Sequence, residues 1–291
     1  MTNYYKYLPV SAEDKAWGLH VLNVGYNRIE RSQVYPSKTH PFHHYFTWKE
    51  GRILNEYQLI YISNGAGFFE SKSCRLTKIS TGTVIMLYPN EWHRFKPDPA
   101  VGWDEYWVGC NGSILNNLLA RHFLSKKSPL SYIGLPEKVF ALFNEIIEIA
   151  RHEKTGYQPH ISGATLHLLG VIHSLMKQAV VKKGKYDDAI QQSLEIIRAN
   201  INANLSFPEI AGNLHLSYSL FRKLFTSYTG LAPHQYFLQL KLEKARLLLS
   251  GEAMSIKEIA AQLGFDNPFY FSKLFKSKWG KSPREFRRSL R

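Results

Sequence analysis

The segment Ser206-Phe-Pro-Glu-Ile-Ala-Gly-Asn-Leu214 returns 49 positions later as Ser255-Ile-Lys-Glu-Ile-Ala-Ala-Gln-Leu263. Serine, glutamate, isoleucine, alanine and leucine keep their places. Phe221-Arg-Lys-Leu-Phe225 then returns as Phe271-Ser-Lys-Leu-Phe275, now at an offset of 50, and the pairs Gly230/Gly280 and Pro233/Pro283 follow. The one-residue slip falls in His215-Leu-Ser against Gly264-Phe-Asp-Asn, a turn, where an extra residue costs least.

Each copy spells the same local structure. Ser206 and Ser255 stand three residues ahead of Glu209 and Glu258, the spacing of a capping box at a helix start. The Ile-Ala-x-x-Leu face of that helix is apolar, and its alanine lets a neighbour approach closely. After the turn, Ser217 in one copy and Asp266 or Asn267 in the other can cap a second helix. Its buried side carries Phe221, Leu224 and Phe225, or Phe271, Leu274 and Phe275. Gly230 and Gly280 sit where a helix would end, and Pro233 and Pro283 where the next would begin. Helix, short turn, capped helix is the helix-turn-helix plan, whose second helix enters a DNA major groove.

A duplicated pair of helical hairpins in an ordinary bundle would share this pattern, and the outward chemistry separates the two. Tyr218, Ser219, Arg222, Lys223 and Thr226 face out on the first second-helix. Pro268, Phe269, Tyr270, Ser272, Lys273 and Lys276 do so on the other, and neither helix carries an acid beyond the capping Asp266. Arg and Lys read guanine, Ser and Thr bond to bases, and an aromatic ring packs on the thymine methyl. Between the copies, Pro233–Ser250 reads as one amphipathic helix carrying Phe237, Leu240, Ala245 and Leu248. Such a rod would let one subunit reach two successive major grooves, roughly 34 Å apart.

The whole chain has 291 residues, 37 Lys+Arg against 23 Asp+Glu, and a formal charge of +14. That balance favours a polyanionic partner, nucleic acid before a membrane surface. From Asp187 onward 15 basic residues face 9 acidic ones, +6 in all, so the excess is not confined to one half. It is densest at the tail, where Lys273, Lys276, Lys278, Lys281, Arg284, Arg287, Arg288 and Arg291 accompany only Glu285. The longest nearly apolar stretch, Thr165–Met176, is broken by His167, His173 and Ser174, too short for a membrane span. The amino terminus has no apolar segment of the signal-peptide kind. Cys74 and Cys110 are the only cysteines, which excludes a disulfide scaffold and fits a reducing cytoplasm.

Ahead of the helices the chain changes character. Gln58–Ile62, Gly67–Ser71, Thr83–Leu87 and Glu105–Val108 are short β-prone runs between Gly, Pro, Asn and Asp, the mark of a sandwich or small barrel. Helices follow at 114–123, 136–151 and about 160–180. In the last, Ile161, Thr165, Leu168, Ile172 and Leu175 alternate spacings of four and three, the seam of a short coiled coil. A core-facing helix shows a similar stripe; we take it as a homodimer contact, with Ile161, Leu168, Ile172 and Leu175 as its residues. The expected division is 1–112 for the β-domain, 113–181 for dimerisation helices, 182–187 for a linker through Lys182-Lys-Gly-Lys185, and 188–291 for the DNA-binding domain.

With these residues in view, the last ~105 resemble the AraC/XylS family. The stretch Ile256-Lys-Glu-Ile-Ala-Ala-Gln-Leu-Gly-Phe-Asp-Asn-Pro-Phe-Tyr-Phe-Ser-Lys-Leu-Phe-Lys276, with Gly280-Lys-Ser-Pro-Arg-Glu-Phe286, carries the resemblance. It implies a transcription factor with two helix-turn-helix units, often an activator touching RNA polymerase. It places base reading on Ser219, Arg222 and Lys223 and on Phe269, Ser272 and Lys273, with Thr226 and Lys276 beside them. Phe269 departs from the polar residue common at its position, which points to weaker or shape-based reading by the second unit. The first ~180 residues resemble, less specifically, the family's cupin-like β-barrel sensor with dimerisation helices, making the chain an α+β multidomain protein with an all-α carboxy-terminal domain. Gly82-x6-Pro89-Asn-Glu-Trp-His93 is similar to the sensor's Gly…Pro…His hairpin, and Trp103-Asp-Glu-Tyr-Trp-Val108 to a pocket strand of arabinose-responsive members.

On a strand Trp103, Glu105 and Trp107 share one face. Aromatic planes stack on the C–H face of a pyranose while a carboxylate bonds its hydroxyls, so a sugar effector is the expected ligand. Arg52, Glu56 and His93 complete the candidate set. Core tryptophans with a solvated Glu105 are the plainer alternative. The histidines His40, His43, His44 and His93 invite comparison with metal cupins, but adjacent His43 and His44 point to opposite sides of a strand, and three convergent ligands are not evident. We expect no metal, no cofactor and no enzyme activity: neither a nucleophile elbow, a phosphate loop nor an HExxH helix occurs. A metal-dependent cupin enzyme and a ligand-independent architectural DNA binder are the alternatives.

Overall fold

The apolar run that starts at Tyr57 becomes one fifteen-residue strand shared by two sheets. The computed structural model describes residues 2–36, 46–180, 186–251 and 254–290, and the chain divides into two units, Met1–Met176 and Lys177–Arg291. In chain order the first holds β1 (Tyr4–Tyr7), α1 (Ala12–Ala16), β2 (His20–Ile29), β3 (Arg52–Ile53), β4 (Tyr57–Ser71), β5 (Cys74–Ser80), β6 (Thr83–Leu87), β7 (Trp92–Pro97), β8 (Trp103–Asn111), α2 (Ser113–Ala120), β9 (Leu130–Tyr132) and α3 (Glu137–His152), with α4 (Tyr157–Val180) at its end.

Every strand pairing among the described residues is antiparallel. The main ladder runs β1-β2-β8-β4-β6-β9, while the second half of β4 pairs with β5 and β7, and β7 with β3. The crossover comes at Gly65, whose positive φ of 89° turns the strand and whose missing Cβ leaves room for the Gly102 carbonyl. Among the described residues the ladder ends at β1 and β9 without closing. The expected barrel is therefore seen as two sheets joined through β4. Phe69 and Phe95 from one sheet meet Ile60, Ile62, Ile85 and Trp103 from the other in a shared apolar core.

The other face of the main sheet is also buried, under α2, α3 and α4. Ile161, Leu168 and Ile172 lie in that core with Val139, Phe143 and Ile147 of α3, and Leu175 packs against it. This corrects the coiled-coil reading of the stripe. The sheet presents Leu59, Tyr61, Val84 and Val108 outward, and covering them stabilises the unit by roughly 25 cal/mol per Å² of apolar surface. The stripe on α4 is spent within its own subunit. Its exposed side carries Gly163, Leu166, His167 and Gly170 instead.

The second unit holds α5 (Asp187–Ala199), α6 (Phe207–Asn213), α7 (Tyr218–Thr229), α8 (Pro233–Ser250), α9 (Ile256–Gln262), α10 (Pro268–Trp279) and α11 (Pro283–Arg288). It has two separate cores. Phe207, Ile210, Phe221, Phe225 and Phe237 build one with α5, and Leu242, Ala245, Ile259, Phe271 and Phe275 build the other. Residues 181–185, which hold most of the expected linker, lie outside the described residues; α5 begins just after, at Asp187. No helix among the described residues is long and apolar enough to cross a membrane.

Candidate nucleic-acid interface and sensor cavity

The repeated sequence folds twice into the same motif. Ser206 and Ser255 each accept a backbone hydrogen bond from the glutamate three residues on, but only Ser255 and Glu258 complete the reciprocal box. His215 and Gly264 both take left-handed backbone, φ 56° and 66°. For histidine that conformation costs about 1–2 kcal/mol, for glycine nothing comparable. The next residues, Leu216 and Phe265, are buried, and their N–H groups donate to Ala211 and Ala260 at 2.9 Å. The two turns thus match through this point, and the extra residue of the second copy is the exposed Asp266. Ser217 caps α7; Asn267, not Asp266, caps α10, its Oδ1 accepting from Phe269 and Tyr270. Gly230 and Gly280 end the helices in left-handed conformation.

Phe221 and Phe225, and Phe271 and Phe275, point wholly inward. That orientation turns Ser219, Arg222, Lys223 and Thr226 out on α7, and Phe269, Lys273 and Lys276 out on α10. Ser272 is half-buried, its hydroxyl donating to the Pro268 carbonyl at 2.9 Å. Phe269 is 86% exposed, an apolar ring in water at the first turn of a helix. No ion pair ties Arg222, Lys223, Lys273 or Lys276 to a carboxylate among the described residues. These cations are held on rigid helices yet remain open to a polyanion.

In the first unit, the two sheets line a partly open cavity of about 20 Å³ among the described residues, bordered by Tyr7, Tyr35, Arg52, Gln58, Glu105 and Trp107, among others. That is room for about one water. Strand β8 alternates as expected: Glu105 and Trp107 face the cavity while Tyr106 and Val108 face the helices. The Trp107 indole lies over Gly25, its cross-strand partner on β2, where any Cβ would collide with the ring. Glu105 accepts from the Tyr35 hydroxyl at 3.4 Å. Burial pushes its carboxyl up to about 8, with the Arg52 guanidinium pulling the other way. Burial likewise lowers Arg52 and raises Tyr35. Arg52 sits over the rings of Phe46 and Phe95, at 4.9 and 5.2 Å.

Of the six expected ligand residues, Arg52, Glu105 and Trp107 reach the cavity and three do not. Trp103, 1% exposed, is core: its ring packs on Tyr35 and Phe95 and covers Gly67. His93 is buried behind Arg52, whose Nε donates to His93 Nε2 at 3.2 Å. That bond needs a lone pair on Nε2, which puts the ring proton on Nδ1, facing the Glu91 carbonyl at 3.0 Å. Glu56 is occupied by amides, its Oε1 accepting from Asn23 and Gln58 at 2.8 Å. Tyr7, Tyr35 and Gln58 were not anticipated. Only Gln58 left a trace in the sequence, as a polar residue at an inward position of an otherwise apolar strand. Among the described residues no three His, Cys, Asp or Glu side chains converge as a metal site; His40, His43 and His44 lie outside them.

Comparison with known proteins bears on both sites. A family model described as an AraC-like ligand binding domain matches residues 32–169, and one described as a helix-turn-helix domain matches residues 210–289. The MmsAB operon regulatory protein of Pseudomonas aeruginosa is 28% identical over 242 residues, 81% of this chain and 76% of that protein. The Msm operon regulatory protein of Streptococcus mutans is 27% identical over 241 residues, covering 82% and 86%. The raffinose operon transcriptional regulatory protein RafR of Pediococcus pentosaceus is 23% identical over 250 residues, covering 84% and 89%.

Proposed function

The chain belongs to the AraC family of transcription regulators, and from that premise we propose that it switches a carbohydrate-utilisation operon in response to a sugar. It is a ligand-responsive, DNA-binding regulator in which α7 and α10 read base pairs. The observation that carries the DNA reading is the pair of capped helices with outward Arg222 and Lys223, Lys273 and Lys276, and no acid among them. The sugar reading draws on the cavity, where the Trp107 plane, the Glu105 carboxyl and the Arg52 guanidinium converge, and on the raffinose operon named for one relative.

Differential affinity of the sugar for two arrangements of the lining is what would couple it to DNA. The regulator acts in the cytoplasm as a homodimer and an activator that touches RNA polymerase. The exposed face of α4 supports the dimer: Gly163 and Gly170 have open space where a side chain would be, allowing close approach of a second helix. Titrating the full chain with pentoses, hexoses and raffinose-type oligosaccharides, by melting temperature and by affinity for promoter DNA, tests this function. A shift in both with one sugar class supports it; no shift with any of them removes the sugar from it.

A further inference from the structure

Lys241 lies in the middle of α8 and is only 4% exposed. A buried ammonium is costly unless something specific holds it. Here no ion pair holds it among the described residues. Its Nζ donates to the Ala203 carbonyl at 3.0 Å, in the loop that leads into α6. The same ammonium stands over the Phe237 ring at 4.5 Å and the Phe265 ring at 5.4 Å. Phe237 belongs to the first core and Phe265 to the second. One side chain therefore touches both helix-turn-helix lobes.

Further contacts cross the seam beside it, at the edge of an open groove lined by residues of both lobes, His234 and Asp266 among them. Gly264, the turn residue of the second motif, packs so closely on the first lobe that a Cβ there would stand 2.8 Å from the Asn202 carbonyl and 3.2 Å from Lys241 Nζ. Lys244, one turn on, donates to Asn202 Oδ1 at 3.3 Å. Helix α8 belongs to both cores and sets the separation of the lobes, and the contacts at Lys241 and Gly264 are a second tie between them. Burial lowers the Lys241 ammonium from its ordinary range, with Asp266 as the opposing charge.

We propose that Lys241 is a positioning residue for DNA reading: by joining the Asn202–Ala203 loop to the Phe265 turn, it sets the angle between α7 and α10 and hence the spacing of the two base patches one subunit accepts. The inference rests on the DNA reading above. Lys241 itself touches no base.

The full-length chain and its Lys241→Met and Lys241→Gln variants would each be used to select duplexes from a randomised pool. Melting temperature would be followed in parallel. The wild type should select two patches at one spacing. Lys241→Met should keep both base preferences but accept several spacings, and bind the wild-type duplex about tenfold more weakly. Lys241→Gln, which keeps a donor for Ala203, should fall between them. Selection of one strict spacing by whichever variant folds would overturn the proposal. Loss of folding in both would overturn it too, since Lys241 would then hold up the lobes themselves. If the wild type selects no sequence, the DNA reading fails instead.

Discussion

The Trp107 indole rests on Gly25, and the two residues face each other across the β2–β8 pair with no room for a β-carbon between them. A glycine at this point of a strand interior lowers β-propensity, and here it is what lets an aromatic plane lie flat along one wall of the cavity. Gly25→Ala should tip the ring off the wall, at about 1–3 kcal/mol of overpacking. On the proposed function, the expected result is a chain that binds DNA as before but no longer responds to the sugar that shifts the wild type. A sugar response equal to wild type in a folded Gly25→Ala protein would show that Trp107 is no part of the binding surface.

The Glu105 carboxyl gives the sensor a pH signature. In the unfolded chain it titrates near 4.3; in the fold it is pushed up to about 8. Between those values the folded state keeps a proton that the unfolded state releases, so this group makes stability fall as pH rises through that window and adds no further change above it. The slope is at most about 1.4 kcal/mol per pH unit. His20, lowered by burial, acts in the opposite direction but equally in wild type and Glu105→Gln. The difference between their unfolding free energies should therefore slope with pH below about 8, and parallel curves would contradict the assignment.

Base reading and phosphate contact separate by their salt dependence. Arg222→Ala or Lys223→Ala should cost about 1–3 kcal/mol at particular base pairs and little on other sequences. Lys276→Ala or Lys281→Ala should weaken all sequences alike and lower the salt slope by about one. Competition binding over single-base operator variants at two salt concentrations resolves the two classes; uniform loss from Arg222→Ala would move it to the phosphate group.

Phe269 makes a separate statement about sequence. A ring this exposed gains from an apolar partner, and the thymine methyl is the one a major groove offers. Replacing thymine by uracil in the half-site under α10 should weaken the wild type and leave Phe269→Ala unchanged. Equal losses for both proteins would place the ring away from the bases.

The two sides of α4 should respond oppositely. Leu168→Ala opens the core and should cost about 2–5 kcal/mol without altering oligomeric state. If the proposed homodimer forms through the exposed face of α4, Gly170→Glu should leave the fold intact and shift the protein to monomer in sedimentation. A Gly170→Glu protein as associated as the wild type would put the dimer contact elsewhere.

The carboxy-terminal motifs were legible because they repeat: the shared Ser, Ile, Ala and Phe positions fix caps and buried faces twice over, so chance agreement is excluded by the second copy. The facing of Glu105 and Trp107 followed from the two-residue period of a strand. The identity of the cavity wall did not, because Tyr7, Tyr35 and Phe46 reach it from irregular or edge segments that no local period describes. The stripe on α4 was legible as a stripe but not as to its partner, since a coiled-coil seam and a core-facing helix have the same spacing. Lys241 stood on the apolar side of α8, four residues from both Phe237 and Ala245, yet its charge hid it among solvated lysines.

Hydroxyl-radical and purine-methylation protection on a selected promoter duplex most directly probes the claim that one chain presents two reading heads to one DNA. Each subunit should protect two major-groove patches on the same face, about one helical turn apart, with Arg222→Ala erasing contacts in one and Lys273→Ala in the other. A single protected patch per subunit, or two patches on opposite faces of the duplex, would contradict it.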